Sequence, residues 1–458
     1  MGLKETLYEL SPIWMQNYLI STYGQKLCRQ RYGKVYHDEL KRLKNRDFTN
    51  YEDQKNIQNA TFLEFLSYAV ENSPFYKEFY KGIDLSQIKT VDDITKLPIL
   101  DKETLRENIE QVYTLPTNQG HKCITGGTTG KSLTVYFTSD DIQKRMAYLE
   151  WFKSLYGFDI LKHTSARFNG KNIIPIGQKK KVYWRDNRCI RQRIYSSFFT
   201  SLENLPYYVH NLNEFKPQEM DGFVTSLYEV AKFMDDHGIK PTFKPMAIFP
   251  TSETVLQHHR DLLAKVFDCS VVDQYASSEG APFIIQLPDG YMHECIDTGV
   301  FEHIKTDNGT KLVVTAFHTH GTPLIRYDIG DNIVEFEPAE MPENKYGFPI
   351  IKAIDGRKAD SLYSKERGHI SIANLSNVVK NLPNSIKNIQ FIQESIDHIH
   401  IKLVVDSSRY QQKKQEPHII EEMYNRFGKN MTFSIQYVDE IKRTRGGKYR
   451  MIINKLNK

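Results

Sequence analysis

The spacing of hydrophobic residues changes twice along this chain. Over residues 1–120 it is mostly helical, and Phe62, Leu63, Phe65, Leu66, Ala69 and Val70 fall on one broad apolar face. Asn72-Ser73-Pro74 interrupts that pattern. From 121 to about 355, strand-like and helix-like stretches alternate, which predicts a sheet covered by helices. Residues 245–249, 270–275 and 311–317 read as strands. Ser226 and Glu229 have the spacing of a capping box, and Gly238 followed by Pro241 closes the helix they would start.

A third pattern begins after Arg357. Residues 398–406 alternate, with Ile399, Ile401, Leu403 and Val405 on one side, as in a strand with one buried face. Pro417 is expected to open a helix in its first turn and Gly428 to end it, after which 431–438 returns as a strand. The predicted class is α/β. A large N-terminal domain covers 1–355, with β-sheets packed by helices, and a small α+β domain covers 356–458.

The chain has 458 residues, 40% of them hydrophobic, enough for more than one core. Its formal charge of +5 is small for that length and argues against nucleic acid as the main partner. One basic run stands out, Lys179-Lys180-Lys181-Val182-Tyr183-Trp184-Arg185, continuing to Arg188, Arg191 and Arg193. It either faces an anionic substrate or is a solvated hairpin, the ordinary fate of a charge run. The five cysteines are widely spaced and form no CxxC, which suits free thiols and a reducing compartment. No stretch approaches the ~18 apolar residues of a membrane span, and no signal peptide is visible. A cytoplasmic location is expected. The aromatic-rich helix around residues 5–30 either touches a membrane surface peripherally or packs on the domain's own core, the commoner arrangement.

Candidate chemistry starts at Thr125-Gly126-Gly127-Thr128-Thr129-Gly130-Lys131. The glycines let backbone N–H groups close on an anion, the threonines add hydroxyl donors, and Lys131 adds a cation. A P-loop NTPase is one owner of such a loop. Gly130-Lys131-Ser132 fits the end of that motif, but its first glycine belongs at 125, which is Thr. Residues Leu133-Thr134-Val135-Tyr136-Phe137-Thr138 also read as a strand, whereas a P-loop opens a helix.

The loop also resembles the phosphate loop of the adenylate-forming superfamily of acyl ligases, with Gly126 for the usual Ser and Ser132 for the usual Pro. Further segments follow in that superfamily's order. Gln274-Tyr275-Ala276-Ser277-Ser278-Glu279-Gly280 is similar to its Tyr-Gly-x-Ser/Thr-Glu. Pro323-Leu324-Ile325-Arg326-Tyr327-Asp328-Ile329-Gly330-Asp331 is similar to its Tyr-x-Thr-Gly-Asp. Gly356-Arg357-Lys358-Ala359-Asp360 resembles its hinge, with Ala359 at the first acidic position, and Thr444-Arg445-Gly446-Gly447-Lys448-Tyr449-Arg450 resembles its C-terminal lysine motif. Phe249-Pro250-Thr251-Ser252-Glu253 resembles the segment that lines the adenine.

Within the superfamily, Leu97-Pro98-Ile99-Leu100-Asp101-Lys102-Glu103 is similar to a segment of the phenylacetate–CoA ligase branch. Phe168-Asn169-Gly170, Tyr183-Trp184 and 221–227 point to its capsular-polysaccharide, CapK-like group. Some members of the branch hold structural zinc through Cys and His. Only His293-Glu294-Cys295 remains of such a set here, and His318-Thr319-His320 has no third ligand nearby, so no zinc is expected.

The resemblance implies an ATP- and Mg²⁺-dependent enzyme that joins a carboxylic acid to AMP, releases pyrophosphate, and passes the acyl group to coenzyme A or to an amine or hydroxyl. Thr125, Gly126, Gly127, Thr128, Thr129, Gly130 and Lys131 would hold the phosphates. Tyr275 would stack on the adenine beside Ser252 and Glu253, Ser278 would bond a phosphate oxygen, and Glu279 would hold Mg²⁺. Asp331 and Arg357 would fix the ribose, and Lys448 would neutralise charge at the α-phosphate. Asp328 reads as a turn residue. A P-loop ATPase and a non-catalytic component of a polysaccharide-assembly complex remain the alternatives, the latter kept open by Gly126 and Ala359.

Overall fold

Two β-rich layers carry the N-terminal part of the chain. The computed structural model describes residues 3–125, 133–175, 178–307, 309–355, 361–371, 374–375, 385–405, 407, 409–441 and 450–456. One layer is a six-stranded sheet ordered Trp184–Asn187, Gln192–Ser196, Ser165–Asn169, Glu219–Phe223, Ala247–Thr251 and Ser270–Val271. It is parallel except for its first strand. A strand buried on both faces needs a continuous apolar run rather than alternation, and Ala247, Ile248 and Phe249 supply one. Helices Leu205–Phe215, Val224–Asp236 and Gln257–Phe267 bury their apolar faces in one core with this sheet. Ser139–Ser154 contributes Tyr148, Trp151 and Phe152 to another, which includes Ala247 and Phe249. Gly222 has φ +134° and a β-carbon there would lie 2.0 Å from the Phe168 carbonyl oxygen, so only glycine fits between these strands.

The second layer is antiparallel. Gly299–Thr306, Gly309–Ala316, Leu324–Val334 and Ala353–Asp355 form one sheet, and Ile350–Ile351, Met292–Glu294, Ile284–Gln286 and Gln274–Tyr275 another. The helix Tyr51–Asn72 sends Phe62, Phe65, Leu66 and Ala69 into the core of this layer. Ser73 ends that helix and caps the next, Pro74–Phe79, as the proline at 74 requires.

Residues 362–452 have a core of their own, built from Leu362, Ile389, Phe391, Ile399, Ile401, Leu403, Met423 and Phe427 among others. A four-stranded sheet, Thr432–Tyr437, His398–Val405, Ile386–Ser395 and Ile452–Asn454, carries the helix Gln412–Phe427. This unit packs on the six-stranded sheet's flank through cations on rings. The Arg367 guanidinium lies 4.0 Å from the Phe199 ring centre and that of Arg426 lies 4.5 Å from Phe198. Arg426 also donates to Asn172 Oδ1 at 2.7 Å.

Three expectations need correction. The helix Val224–Asp236 has Phe223 at its N-cap, so Ser226 lies inside it and is no cap. Glu253 caps it instead, its Oε2 accepting from the Thr225 backbone N–H at 2.7 Å and hydroxyl at 2.8 Å. Pro417 lies inside its helix, which begins at Gln412. That added turn is Gln-Lys-Lys-Gln-Glu and has no apolar residue to show a period. The aromatic N-terminal stretch forms two helices, Leu3–Leu10 and Ile13–Arg31, and only one side of the second meets the protein. Gln16 and Gly24 are buried against the Trp184–Asn187 strand, while Trp14, Tyr18 and Tyr23 face outward. The Cys28 and Cys189 thiols, both free, meet at this contact with sulfurs 2.6 Å apart.

Candidate active site

The glycine-rich run begins inside a hairpin. His121–Ile124 pairs antiparallel with Thr134–Phe137, so a strand follows the run. That removes the P-loop arrangement, in which a helix follows. Thr125 extends the pairing at the hairpin's loop end. Its N–H donates to the Leu133 carbonyl at 2.9 Å, and its Oγ1 accepts from the Leu133 N–H at 3.0 Å. Gly126, Gly127, Thr128, Thr129, Gly130 and Lys131 lie outside the described residues, as do Arg357 and Lys448.

The segment 274–280 passes beside this hairpin. Tyr275 ends a two-residue strand paired with Ile284–Gln286, and the chain then turns sharply. The Gly280 N–H donates to the Ser277 carbonyl at 3.1 Å, and Gly280 has φ +101°. A β-carbon at Gly280 would lie 2.7 Å from the Phe137 ring, so the turn rests on the hairpin's second strand. Arg145, buried on the helix Ser139–Ser154, donates to the Gly280 and Ala281 carbonyls at 2.9 and 3.1 Å. The turn leaves Ser278 exposed and Glu279 buried.

The strand Leu324–Val334 supplies the opposite wall. The Tyr275 hydroxyl donates to Asp331 Oδ2 at 2.8 Å. Burial, and then the Asp331 charge, push the Tyr275 phenol well above its ordinary range, so it remains a neutral donor. Asp328 sits on the same strand rather than in a free turn. Its Oδ1 accepts from the Gly330 N–H at 3.1 Å and its Oδ2 pairs with Lys311 at 2.8 Å.

One site residue carried no role in the sequence reading. Leu100 bridges to Tyr327, giving and receiving backbone hydrogen bonds of 2.9 Å with Arg326 and Asp328. Arg326 adopts φ +50° at this crossing and donates to the Leu97 carbonyl and to Glu302. The crossing carries Lys102 to Glu279, where Nζ lies 2.8 Å from Oε1. Burial alone pushes the Glu279 carboxyl up, but Lys102's charge and hydrogen bond outweigh it and hold the group below its ordinary value. Lys102 stands in a quoted motif, and only this fold-level contact gives it a partner.

The remaining predicted residues approach from the six-stranded sheet. Gln274 Nε2 donates to the Pro250 carbonyl at 3.4 Å, tying the end of the strand Ala247–Thr251 to the Tyr275 segment. Just beyond, Ser252 is exposed with φ +69°, and Glu253 reaches back to Thr225. Tyr275, Asp331 and Glu279 thus gather around one edge, with Ser252 and Glu253 on the adjoining loop. An ionised carboxylate of this kind is a hard oxygen donor, and Mg²⁺ on nucleotides is commonly held by one or two carboxylates plus phosphate oxygens. Glu279 fits that requirement. Among the described residues no group of three or more His, Cys, Asp or Glu is placed to hold a metal by itself. His293 instead pairs with Asp289 at 3.0 Å, and His320 with Asp141 at 2.7 Å.

Comparison with known proteins bears on the family and the fold. Residues 362–455 match the CapK C-terminal domain family. The chain is 40% identical to Protein CapK of Staphylococcus aureus over 98% of its own length and 99% of that protein's. Its fold is that of 2-hydroxyisobutyryl-CoA ligase. The postadenylation state of that enzyme aligns with TM-score 0.56 at 15% identity, covering 90% of this chain and 91% of the ligase. Its thioesterification state aligns with TM-score 0.55 at 17% identity, covering 88% and 90%.

Proposed function

The chain belongs to the CapK family, and we propose that it is an ATP-dependent, adenylate-forming ligase. A carboxylate oxygen of the substrate attacks the α-phosphorus of ATP, the bond to the β-phosphate oxygen breaks, and pyrophosphate leaves. Catalysis of this kind is mostly positioning and charge neutralisation. The observation that carries the reading is the convergence of Tyr275–Asp331 and Lys102–Glu279 on one edge beside the glycine-bearing hairpin.

In this reading Asp331 accepts from the ribose hydroxyls, oriented by the Tyr275 phenol, whose ring lies beside the base. The 125–131 run and Ser278 donate to the phosphates. Glu279, kept ionised by Lys102, holds Mg²⁺, which when bound neutralises phosphate charge. Arg357 reaches the ribose at a hinge between a 1–355 domain and a 356–458 domain. Lys448 approaches the α-phosphate from the smaller domain, and a rotation of that domain then withdraws it for transfer. Coenzyme A, or an amine or hydroxyl of a surface-polysaccharide precursor, accepts the acyl group. Among the described residues no helix is long and apolar enough to cross a membrane, and a reaction on ATP and coenzyme A would suit a cytoplasmic enzyme.

A screen of aryl, amino and uronic acids for acid-dependent release of AMP and pyrophosphate tests the reading. Lys448→Ala is expected to abolish carboxylate-dependent pyrophosphate exchange while ATP still binds. Exchange unchanged by that substitution, or ADP and phosphate as products, defeats it. Thiol formation with coenzyme A as sole acceptor identifies the second half-reaction.

A further inference from the structure

The helix Ile13–Arg31 has two unlike sides. Its inner side, Gln16, Asn17, Ser21 and Gly24, is fitted to the edge strand of the six-stranded sheet. Asn17 Oδ1 accepts from the Asp186 N–H at 3.0 Å, and the Ser21 hydroxyl donates to the Asp186 carbonyl at 3.1 Å. Gln16 Oε1 accepts from Arg185 Nε at 2.7 Å. A β-carbon at Gly24 would lie 2.1 Å from the Asn187 side chain, so helix and strand are in direct contact. This close fit fixes the direction of the outer side. There, Trp14 is 70% exposed, Tyr18 67% and Tyr23 58%, and Leu10 of the preceding helix is 81% exposed. Helices against water normally place charged residues on that face. Here its N-terminal half is aromatic and aliphatic, and cations begin only at Lys26 and Arg29.

The same contact concentrates the molecule's net positive charge. Residues 3–31 carry four cations and two carboxylates, and residues 178–193 carry seven cations and one carboxylate. Their net +8 exceeds the whole chain's +5, leaving the rest at −3. Lys179, Lys180, Arg188 and Arg191 are exposed on the basic hairpin that the helix rests against. The hairpin's carboxylate, Asp186, is engaged by Arg193 at 2.7 Å.

We propose that this face docks the protein peripherally on an anionic lipid bilayer. Trp14, Tyr18 and Leu10 would enter the headgroup boundary, where amphipathic aromatic rings are favoured, and the Lys179–Arg191 hairpin would meet the lipid phosphates. The apolar row supplies burial and the adjacent cations supply selection for negative charge.

The test is flotation of the full-length protein with vesicles of phosphatidylcholine alone or mixed with phosphatidylglycerol. Binding is expected to the anionic vesicles and to weaken at least about tenfold between low and high salt, because the attraction is screened. Trp14→Ser with Tyr18→Ser, and separately Lys179→Glu with Lys180→Glu, are each expected to reduce binding about tenfold. Both pairs are exposed, so the thermal melt is expected to stay unchanged. Absence of binding to anionic vesicles, or binding indifferent to both pairs of substitutions, overturns the proposal. Light scattering that reveals a Trp14-dependent dimer without vesicle binding also overturns it and assigns the face to a second copy of the chain.

Discussion

Lys102 Nζ and Glu279 Oε1 form a 2.8 Å ion pair that joins two segments 177 residues apart. The glutamate is buried and the lysine about three-quarters so. Removing the cation alone, as in Lys102→Met, strands a buried carboxylate. A fully buried pair broken this way costs ~3–5 kcal/mol. Partial exposure of Lys102 reduces that to about 2 kcal/mol, read from urea denaturation at pH 7. Because the folded-state pKa of Glu279 is depressed, its contribution is present above the ordinary carboxylate range and is lost as pH falls through the depressed value. Without Lys102, burial raises the carboxyl instead, so Lys102→Met is expected to remove that acid-side loss: its stability deficit is present at pH 7 and shrinks as pH falls through the carboxylate range. An acid-denaturation profile identical to wild type contradicts the pairing.

Tyr275→Phe keeps the ring and deletes the donor to Asp331. A hydrogen bond to a charged acceptor contributes roughly 1.5–3 kcal/mol. The expected result is a rise in KM for ATP of about tenfold or more, with little change in KM for the acid. Equal changes in both constants would mean that this pair does not serve the nucleotide.

Glu150 offers a pH test remote from the site. It is buried, its Oε1 accepts from the Ile160 N–H at 2.9 Å, and burial pushes its carboxyl up from 4.5 to about 7. A raised carboxyl pKa favours the folded state below the unfolded value, and this advantage disappears as pH rises through the folded value. Stability is therefore lost between about pH 4.5 and 7. Glu150→Gln keeps the acceptor without the charge. It is expected to stabilise the protein by up to about 3 kcal/mol at pH 8 and hardly at all at pH 4. Thermal melts at the two pH values measure the difference.

The strands were readable because burial leaves a direct trace in composition. Ile399, Ile401 and Leu403 alternate inward in His398–Val405 as their spacing predicts. Helix starts were less readable. The cap on Val224–Asp236 comes from Glu253, 28 residues away from the Thr225 it bonds, and no local pattern encodes a distant carboxylate. The site was legible as separate segments, and its pairings were not. Tyr275 and Asp331 were each singled out, yet the bond between them depends on how two sheets meet. Lys102 went without a role for the same reason.

The cations over Phe198 and Phe199 bear on the proposed rotation of the smaller domain. Arg367 and Arg426 sit on adjacent rings of one short segment, so a swing of the 362–452 unit has to lift both guanidinium planes off together. Two contacts that release as one make a latch with a threshold rather than a sliding bearing. The domain would then dwell in discrete postures, and the tightness of this two-arginine clasp would set how often it changes between them.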